Sequence, residues 1–202
     1  YFMDAPGHRK VHTNPTPRNG GIGIFWGIAI PVMAGIIVIW TSRAGPSHGA
    51  ASSLPAWYRL YLPGLKFHIP LAALLLVTTL GIHLVGLLDD RITMRPWPKL
   101  LAQIATAALL VILGEVIQPG GFRTLTFLDK MLPLGREISM GISVLWIVAL
   151  TNAFNVLDNM DGLSAGVAAI AAAMFLIAAI LSGQWFICGL LLLFIGSVLG
   201  FL

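Results

Sequence analysis

The chain has few charged side chains: they make up 10% of its 202 residues, whereas 57% are hydrophobic. Soluble domains carry roughly 25% charged residues, so this composition excludes an ordinary soluble domain and predicts a membrane protein. Cys188 is the one cysteine, which excludes an internal disulfide. The net charge of +4 favours, in so apolar a chain, loops that face anionic lipids or a phosphorylated substrate rather than nucleic acid.

Long apolar runs dominate what is present, and each approaches the ~20 residues that a helix needs to cross a bilayer. They are continuous rather than alternating, which favours helices over a β-barrel. We therefore predict an all-α fold, a polytopic transmembrane helical bundle that forms a single integral-membrane domain over residues 1–202. The chain opens without a secretory signal and stops inside an apolar run, so we expect a piece of a longer protein. The six runs lie at about 20–40, 69–88, 99–118, 138–156, 163–182 and 185–202.

Counting the crossings assigns the polar segments to two faces. Segments 1–19, 89–98 and 157–162 fall on one face, which gathers the clustered acids and a basic loop. Lysine and arginine divide evenly between the faces, but the loops of this face are shorter and denser in basic residues, which favours the cytoplasm. The opposite face would hold the loops 41–68, 119–137 and 182–184, with a small hairpin predicted at Phe122–Phe127.

Asp89 and Asp90 end the second apolar run. Acids at a helix C-terminus oppose the macrodipole at a cost of about 0.3–1 kcal/mol each, which invites a compensating cation. One interpretation is a metal or phosphate site. The alternative is an interfacial anchor that pairs with Arg91 or Arg95.

Two amides and two acids follow the fourth run at steps of three: Asn152, Asn155, Asp158 and Asp161. Side chains at this spacing drift around a continuous helix and would not share a face. Asn159 and Gly162 tolerate left-handed backbone, so we predict that the helix unwinds near Asp158 and gathers these groups around one cavity. Capping of the next helix by Asp161 is the alternative, but it explains neither asparagine.

Basic side chains complete the candidate set. The first segment suits phosphate oxygens, or equally anchors to lipid headgroups. Lys99 would neutralise a phosphate at the same face, or simply snorkel to the membrane surface. The basic candidates of the first segment are His8, Arg9, Lys10, His12 and Arg18.

Three stretches together resemble the polyprenyl-phosphate N-acetylhexosamine-1-phosphate transferase family, in its branch that uses UDP-N-acetylglucosamine or a relative, near the muramoyl-pentapeptide branch. Their order and spacing fit nearly the whole chain. The stretches are 4–25 with Pro15-Thr-Pro-Arg18-Asn-Gly-Gly, Gly86-Leu-Leu-Asp89-Asp90 with Lys99 and Gln103, and 152–166.

The resemblance implies a protein of ten or eleven helices in the bacterial plasma membrane, with a cytoplasmic active site and Mg2+ or Mn2+ as cofactor. It implies transfer of a HexNAc-1-phosphate, most simply GlcNAc-1-phosphate, from a UDP-sugar to polyprenyl (undecaprenyl) phosphate, in the first membrane step of a cell-envelope polysaccharide. UMP and a lipid diphosphate sugar are the products. A homodimer is one oligomeric state open to such a protein.

The resemblance also implies residue roles. Asp89, Asp90 and Asp158 would be catalytic and would contribute to the metal site, with Asp89 and Asp90 at the lipid phosphate and one of them as base. Asn152, Asn155 and Asp161 would bind the nucleotide sugar together with Asp158, while the basic groups place the phosphates. The basic groups are His8, Arg9, Lys10, His12, Arg18 and Lys99.

Two departures from the family pattern matter. The chain has Asp158-Asn-Met-Asp-Gly162 where the family commonly has Asp-Gly-x-Asp-Gly, and asparagine can keep the same left-handed turn. The family's later Asp motif and His-rich loop would follow Leu202. We therefore expect a main metal ligand beyond Leu202, and we expect residues 1–202 alone to be inactive.

Two other interpretations remain open at this point. An intramembrane prenyltransferase would use the same acids for a Mg-diphosphate, but it should carry a second, matching Asp-rich repeat. A cation-coupled transporter would place its acids deeper in the helices and show an inverted repeat.

Overall fold

A computed structural model describes residues 3–4, 16–17, 20–42, 55–92, 94–158 and 162–202. Within these ranges the chain is mostly helical, and two short strands, Met3–Asp4 (β1) and Thr16–Pro17 (β2), pair antiparallel with Met3 opposite Pro17. The all-α prediction is confirmed. The helices are α1 Gly20–Thr41, α2 Ala56–Ile92, α3 Pro96–Ile117, α4 Leu128–Met131, α5 Gly135–Leu157, α6 Leu163–Leu181 and α7 Trp185–Leu199.

The long helices have the length and composition of membrane spans. In the part of the chain that the structure describes, five of them (α1, α2, α3, α5 and α6) are long and apolar enough to cross a bilayer, and α7 is a shorter apolar helix of 15 residues. Large apolar side chains such as Trp40 and Leu181 point outward, 75% and 83% exposed. Outward apolar side chains on helices of this length are what lipid requires, so the protein is a multi-pass membrane protein.

The helices pack mainly in a row. α1 contacts both α2 and α7, α2 contacts α3, α3 contacts α5, and α6 lies against α7. Fully buried side chains are few and small, including Val111 in α3 and Val198 in α7. This arrangement brings the C-terminal end of α2, the first turn of α3 and the C-terminal end of α5 to one end of the bundle.

The predicted loop 41–68 is wrong over much of its length, because α2 already begins at Ala56. Pro63 and Pro70 both lie inside the helix. Apolar membrane helices tolerate proline where neighbours compensate for the missing hydrogen bonds. The start of α2 is tied to α1 through Lys66, whose Nζ donates to the Ser42 carbonyl oxygen at 2.6 Å.

The predicted hairpin at Phe122–Phe127 is also wrong, since the segment forms turns that lead into α4. Thr124 bonds to α5 instead of to a second strand. Its N–H donates to Ser143 Oγ at 2.8 Å, and its carbonyl accepts from Ser139 Oγ. The hairpin was predicted from a rough alternation of apolar and polar residues. The backbone of this segment instead follows its hydrogen bonds to Ser139 and Ser143.

Close contact between α1 and α7 yields a first prediction. A Cβ at Gly27 would lie 2.4 Å from Ser197 Oγ, and that hydroxyl donates to the Ile24 carbonyl at 2.8 Å. Gly27→Leu should therefore push the helices apart and lower the free energy of unfolding by about 1–3 kcal/mol, as overpacking does. Thermal unfolding in detergent checks this against Gly35→Leu, because Gly35 on the same helix has open space. Equal melting temperatures for the two variants would contradict the proposed contact.

Candidate active site at one end of the bundle

Lys99 joins the ends of three helices. Its Nζ donates to Asp89 Oδ2 of α2 at 2.7 Å and to Asn155 Oδ1 of α5 at 3.1 Å. The side chains of Lys99 and Asp89 are 21% and 25% exposed, so the ion pair is shielded but still reaches water. An ammonium group has three donors, and two are accounted for here. No described residue takes the third, which leaves it for an oxygen of a bound ligand.

The chain between α2 and α3 is built to present this lysine. Asp89 Oδ1 accepts a hydrogen bond from the Met94 N–H at 2.9 Å, which closes the connection back onto the end of α2. Pro96 then begins α3, where its fixed φ suits the first turn and its missing N–H costs nothing. A cation in that first turn opposes the helix dipole. Asp89 compensates for this by its direct contact with Lys99.

Asn152 fixes α5 against α3 one turn away. Its Nδ2 donates to Gln103 Oε1 at 2.7 Å and to the Val148 carbonyl at 2.9 Å. Gln103 is 4% exposed, and it lies on α3 one turn beyond Lys99. The amide pair therefore sets the position of Asn155 relative to Lys99.

The predicted unwinding near Asp158 is confirmed. α5 ends at Leu157, and Asp158 leaves helical geometry at φ −77° and ψ 51° while its N–H still bonds to the Phe154 carbonyl. Gly162 adopts φ +74° before α6 begins at Leu163, a left-handed backbone that favours glycine. Asp158 is exposed at this break, so its carboxylate faces solvent at the same end of the bundle as Lys99.

The structure describes half of the predicted site residues and brings them to one end. Asp89, Lys99 and Asn155 form one connected chain, Asn152 supports it, and Asp90 and Asp158 are exposed nearby along their helices. Gln103 carried part of the sequence motif but was not predicted as a site residue, and its burial beside Asn152 explains its place there. The predicted residues that lie outside the described ones are His8, Arg9, Lys10, His12, Arg18 and Asp161.

The described side chains provide only part of a metal site. Over the described ranges, no three His, Cys, Asp or Glu side chains come together as a group that could hold an ion. Both oxygens of Asp89 already accept hydrogen bonds, from Met94 and Lys99. Mg2+ commonly uses only one or two carboxylates together with substrate phosphates and water. The exposed carboxylates of Asp90 and Asp158 are ligands of that type.

The other end of the bundle carries an ion cluster that sequence reasoning missed. Arg123 is 3% exposed and donates from Nε to Glu115 Oε2 at 2.7 Å, while its two terminal nitrogens reach Asp129 at 2.8 and 2.6 Å. Arg136 approaches the second oxygen of Glu115 at 3.1 Å. A lone glutamate near the end of an apolar run, followed by two arginines, was the available signal. The cluster clamps the segment after α3 onto α4 and α5.

Electrostatics in this clamp favour the charged forms. The two hydrogen bonds from Arg123 lower the pKa of Asp129 below its ordinary value. Asp129 and Glu115 in turn raise the pKa of Arg123. The guanidinium therefore stays charged, and the carboxylate of Asp129 keeps its charge to a lower pH than a free aspartate does.

A double-substitution cycle tests the amide pair beside the site. Asn152→Leu should lower the free energy of unfolding by about 1–3 kcal/mol, because it leaves buried Gln103 Oε1 without its donor. Adding Gln103→Leu should recover part of that loss, since both polar groups are then gone. Unfolding titrations of the single and double variants measure the coupling, and strictly additive costs would contradict the contact.

Comparison with known proteins gives a consistent result. The sequence profile of glycosyl transferase family 4 matches residues 72–202. The chain is 31% identical over 200 residues to the probable undecaprenyl-phosphate N-acetylglucosaminyl 1-phosphate transferase of Bacillus subtilis (strain 168), across 99% of this chain and 47% of that protein. No solved structure gave a significant match.

Two further relatives extend the comparison. The decaprenyl-phosphate N-acetylglucosaminephosphotransferase of Mycolicibacterium smegmatis is 30% identical over 174 residues, across 83% of this chain and 36% of that protein. The phospho-N-acetylmuramoyl-pentapeptide-transferase of Staphylococcus saprophyticus is 34% identical over 140 residues, across 64% of this chain and 43% of that protein. The chain thus spans less than half the length of each relative.

Proposed function

The chain belongs to glycosyl transferase family 4, and from that membership we propose that its protein transfers GlcNAc-1-phosphate from UDP-GlcNAc to a polyprenyl phosphate. An oxygen of the lipid phosphate attacks the β-phosphorus of the nucleotide sugar. The bond from that phosphorus to the bridging oxygen breaks, UMP leaves, and a lipid diphosphate sugar forms. The names of the relatives, which specify undecaprenyl and decaprenyl phosphates and N-acetylglucosamine, support this choice.

The observation that carries the proposal is the bridge from Lys99 to both Asp89 and Asn155. Phosphoryl transfer depends chiefly on positioning and on stabilising negative charge. Lys99 supplies a fixed positive charge whose remaining N–H binds a phosphate oxygen. Asp89 holds the ammonium in place and acts as a positioning residue.

We assign the remaining acids and amides to the nucleotide sugar and the lipid phosphate. Asn155 and Asp158 face the diphosphate from the end of α5, and we assign Asp161 to the nucleotide sugar as well. Asp90 faces the incoming lipid phosphate. Basic side chains of the first segment are assigned to the phosphates, and they are His8, Arg9, Lys10, His12 and Arg18.

A divalent ion, Mg2+ or Mn2+, is part of the proposal. Asp90 and Asp158 supply hard oxygen ligands of the kind that Mg2+ prefers when substrate phosphates complete its shell. When bound, the ion would offset the charge of the diphosphate. Addition of EDTA should abolish transfer, and Mg2+ or Mn2+ should restore it.

Family membership is also the basis on which we propose a location and an oligomeric state. We place the Lys99 end of the bundle at the cytoplasmic face of a bacterial plasma membrane, where nucleotide sugars are made available. We also propose a homodimer. Labelling of single introduced cysteines from each side of the membrane tests the first point, and the mass of the purified protein in detergent tests the second.

Transfer itself is tested with membranes that contain the complete protein, polyprenyl phosphate and Mg2+. Labelled UDP-GlcNAc is added, and both lipid-bound label and released UMP are measured. We expect equal amounts of the two products and no transfer without the metal. Absence of transfer from every UDP-N-acetylhexosamine would overturn the proposal and favour a prenyltransferase or a transporter.

A further inference from the structure

A cavity of about 920 Å3 lies at the end of the bundle opposite Lys99. It is bounded by the first half of α2, the segment that follows α3, and the turn between α6 and α7. Apolar and aromatic side chains form most of its wall, including Leu71, Phe122, Trp185 and Leu190. No candidate-site residue lines it, so it is a separate feature of the molecule.

Two polar atoms in this wall have no partner. In the described part of the chain, His68 Nδ1 and Gln118 Oε1 are the buried side-chain atoms without a hydrogen bond, and both residues line the cavity. Buried polar atoms are normally satisfied, because desolvation without a partner is unfavourable. Two such atoms, on residues that line one apolar cavity, favour an occupant whose polar group they meet after a small side-chain rotation.

The two residues differ in how firmly their side chains are held. The His68 ring stacks on Phe186 with centroids 4.7 Å apart and planes 16° from parallel, and it meets Phe67 edge-on. Gln118 has its backbone fixed on both sides, since its N–H donates to Gly114 and its carbonyl accepts from Gly121. These contacts hold the His68 ring in place, while the Gln118 side chain can rotate and bring its amide to the cavity.

The depth of the cavity indicates what reaches it. At ~1.5 Å per residue, α2 rises about 30 Å from His68 to Asp89, the thickness of a hydrocarbon core. α3 rises by a similar distance from Lys99 to Gln118. With Lys99 at one membrane surface, His68 and Gln118 therefore lie at headgroup depth on the other.

We propose that the cavity binds one membrane lipid whose headgroup carries hydroxyl groups. A hydroxyl both donates and accepts, so it can donate to Gln118 Oε1 and pair with His68 Nδ1 in either tautomer. The apolar wall takes the adjoining part of an acyl chain, as in other ligand pockets that combine a hydrophobic lining with a few polar groups. This lipid site is independent of the proposed transfer reaction.

Two lipids of equal charge test the headgroup. The complete protein is placed in nanodiscs that contain equal amounts of phosphatidylglycerol and phosphatidylmethanol, which lacks the hydroxyls, and lipids retained after mild detergent release are counted by native mass spectrometry. We expect one retained lipid per chain and a preference of about tenfold for phosphatidylglycerol, as two hydrogen bonds of ordinary strength provide. No retained lipid, or equal retention of the two, would overturn the proposal and leave water or protein as the occupant.

Substitutions then locate the site. Gly64 lines the cavity, and an added Cβ there meets open space, so Gly64→Leu should project into the cavity and lower retention at least about fivefold. Gly141→Leu is the matched control, an exposed helical glycine with equal space outside the cavity. Gln118→Leu should keep the lipid but remove most of the preference for phosphatidylglycerol. Retention unchanged in Gly64→Leu, or lost equally in Gly141→Leu, would place the lipid elsewhere and refute the assignment.

Discussion

Lys99→Met in the complete protein is expected to lower turnover by at least ~100-fold, the usual effect of removing a positioned charge from a reacting centre. The substitution keeps the apolar stem and removes the ammonium. Asp89 and Asn155 would lose their shared donor, and the lipid or sugar phosphate would lose a positive partner. Initial rates of GlcNAc-1-phosphate transfer in membranes measure the effect.

The size of this effect depends on Lys99 and not on total charge. Lys130→Met removes an exposed lysine of α4 at the other end of the bundle, and it should leave the rate within about twofold, as expected for surface positions. Lys99→Arg keeps the charge but not the geometry and should remain strongly impaired. Near-normal turnover in Lys99→Met would remove Lys99 from the site and with it the main support for this location.

Arg123→Met is expected to lower the free energy of unfolding by about 3–5 kcal/mol, the range seen when one partner of a buried ion pair is removed. Glu115 is 4% exposed, and it would keep only Arg136, which is 55% exposed. Gly120, whose N–H also donates to Glu115, would lose part of its anchor. Denaturation in mixed micelles measures the loss, and Lys130→Met again serves as the control.

A second substitution separates charge from packing. Adding Glu115→Leu to Arg123→Met should recover more than half of the lost stability, because no buried charge is then left unpaired. If Arg123→Met alone were no less stable than Lys130→Met, the clamp would contribute nothing and the buried ion pair would be refuted.

The pH dependence of the clamp has a definite sign. Asp129 has a lowered pKa in the folded protein, so its ion pair contributes full stability above the unfolded value near ~4 and loses it as the pH falls through the folded value. Amides over residues 118–134 should therefore stay protected at neutral pH and lose protection below pH ~4, when exchange is compared with the intrinsic rate at each pH. Loss of protection already at pH ~6 would contradict the assignment.

The sequence predicted the features that follow from the energetic cost of charge in a membrane and from the periodicity of helices. Charged groups at the ends of apolar runs cost free energy. Asp89 and Asp90, and the amides Asn152 and Asn155 before Asp158, therefore stood out as candidate site residues. Counting crossings predicted that these ends share a face, and Lys99 does join Asp89 to Asn155. The helix break near Asp158 followed from residues that tolerate left-handed backbone.

Long-range partners were not predictable in the same way. Asp89 was expected near a metal or near the adjacent arginines, and its bond to Lys99 from the next helix was not anticipated. The start of α2 was missed because the proline, glycine and serine content of residues 41–68 was taken to indicate a loop. His68 and Gln118 carry no sequence signal, since their missing partners become evident only when three distant segments enclose one cavity.

The most direct test of the account is which end of the bundle carries out the reaction. Transfer from labelled UDP-GlcNAc is measured in the same membranes for Asp90→Asn, Asp158→Asn and Glu137→Gln, with insertion checked by protease protection. Glu137 is an exposed acid in the first turn of α5, at the end away from Lys99. We predict losses of at least ~100-fold for the two aspartates and near-normal turnover for Glu137→Gln. Near-normal turnover in both aspartate variants would contradict the central claim that chemistry occurs beside Lys99.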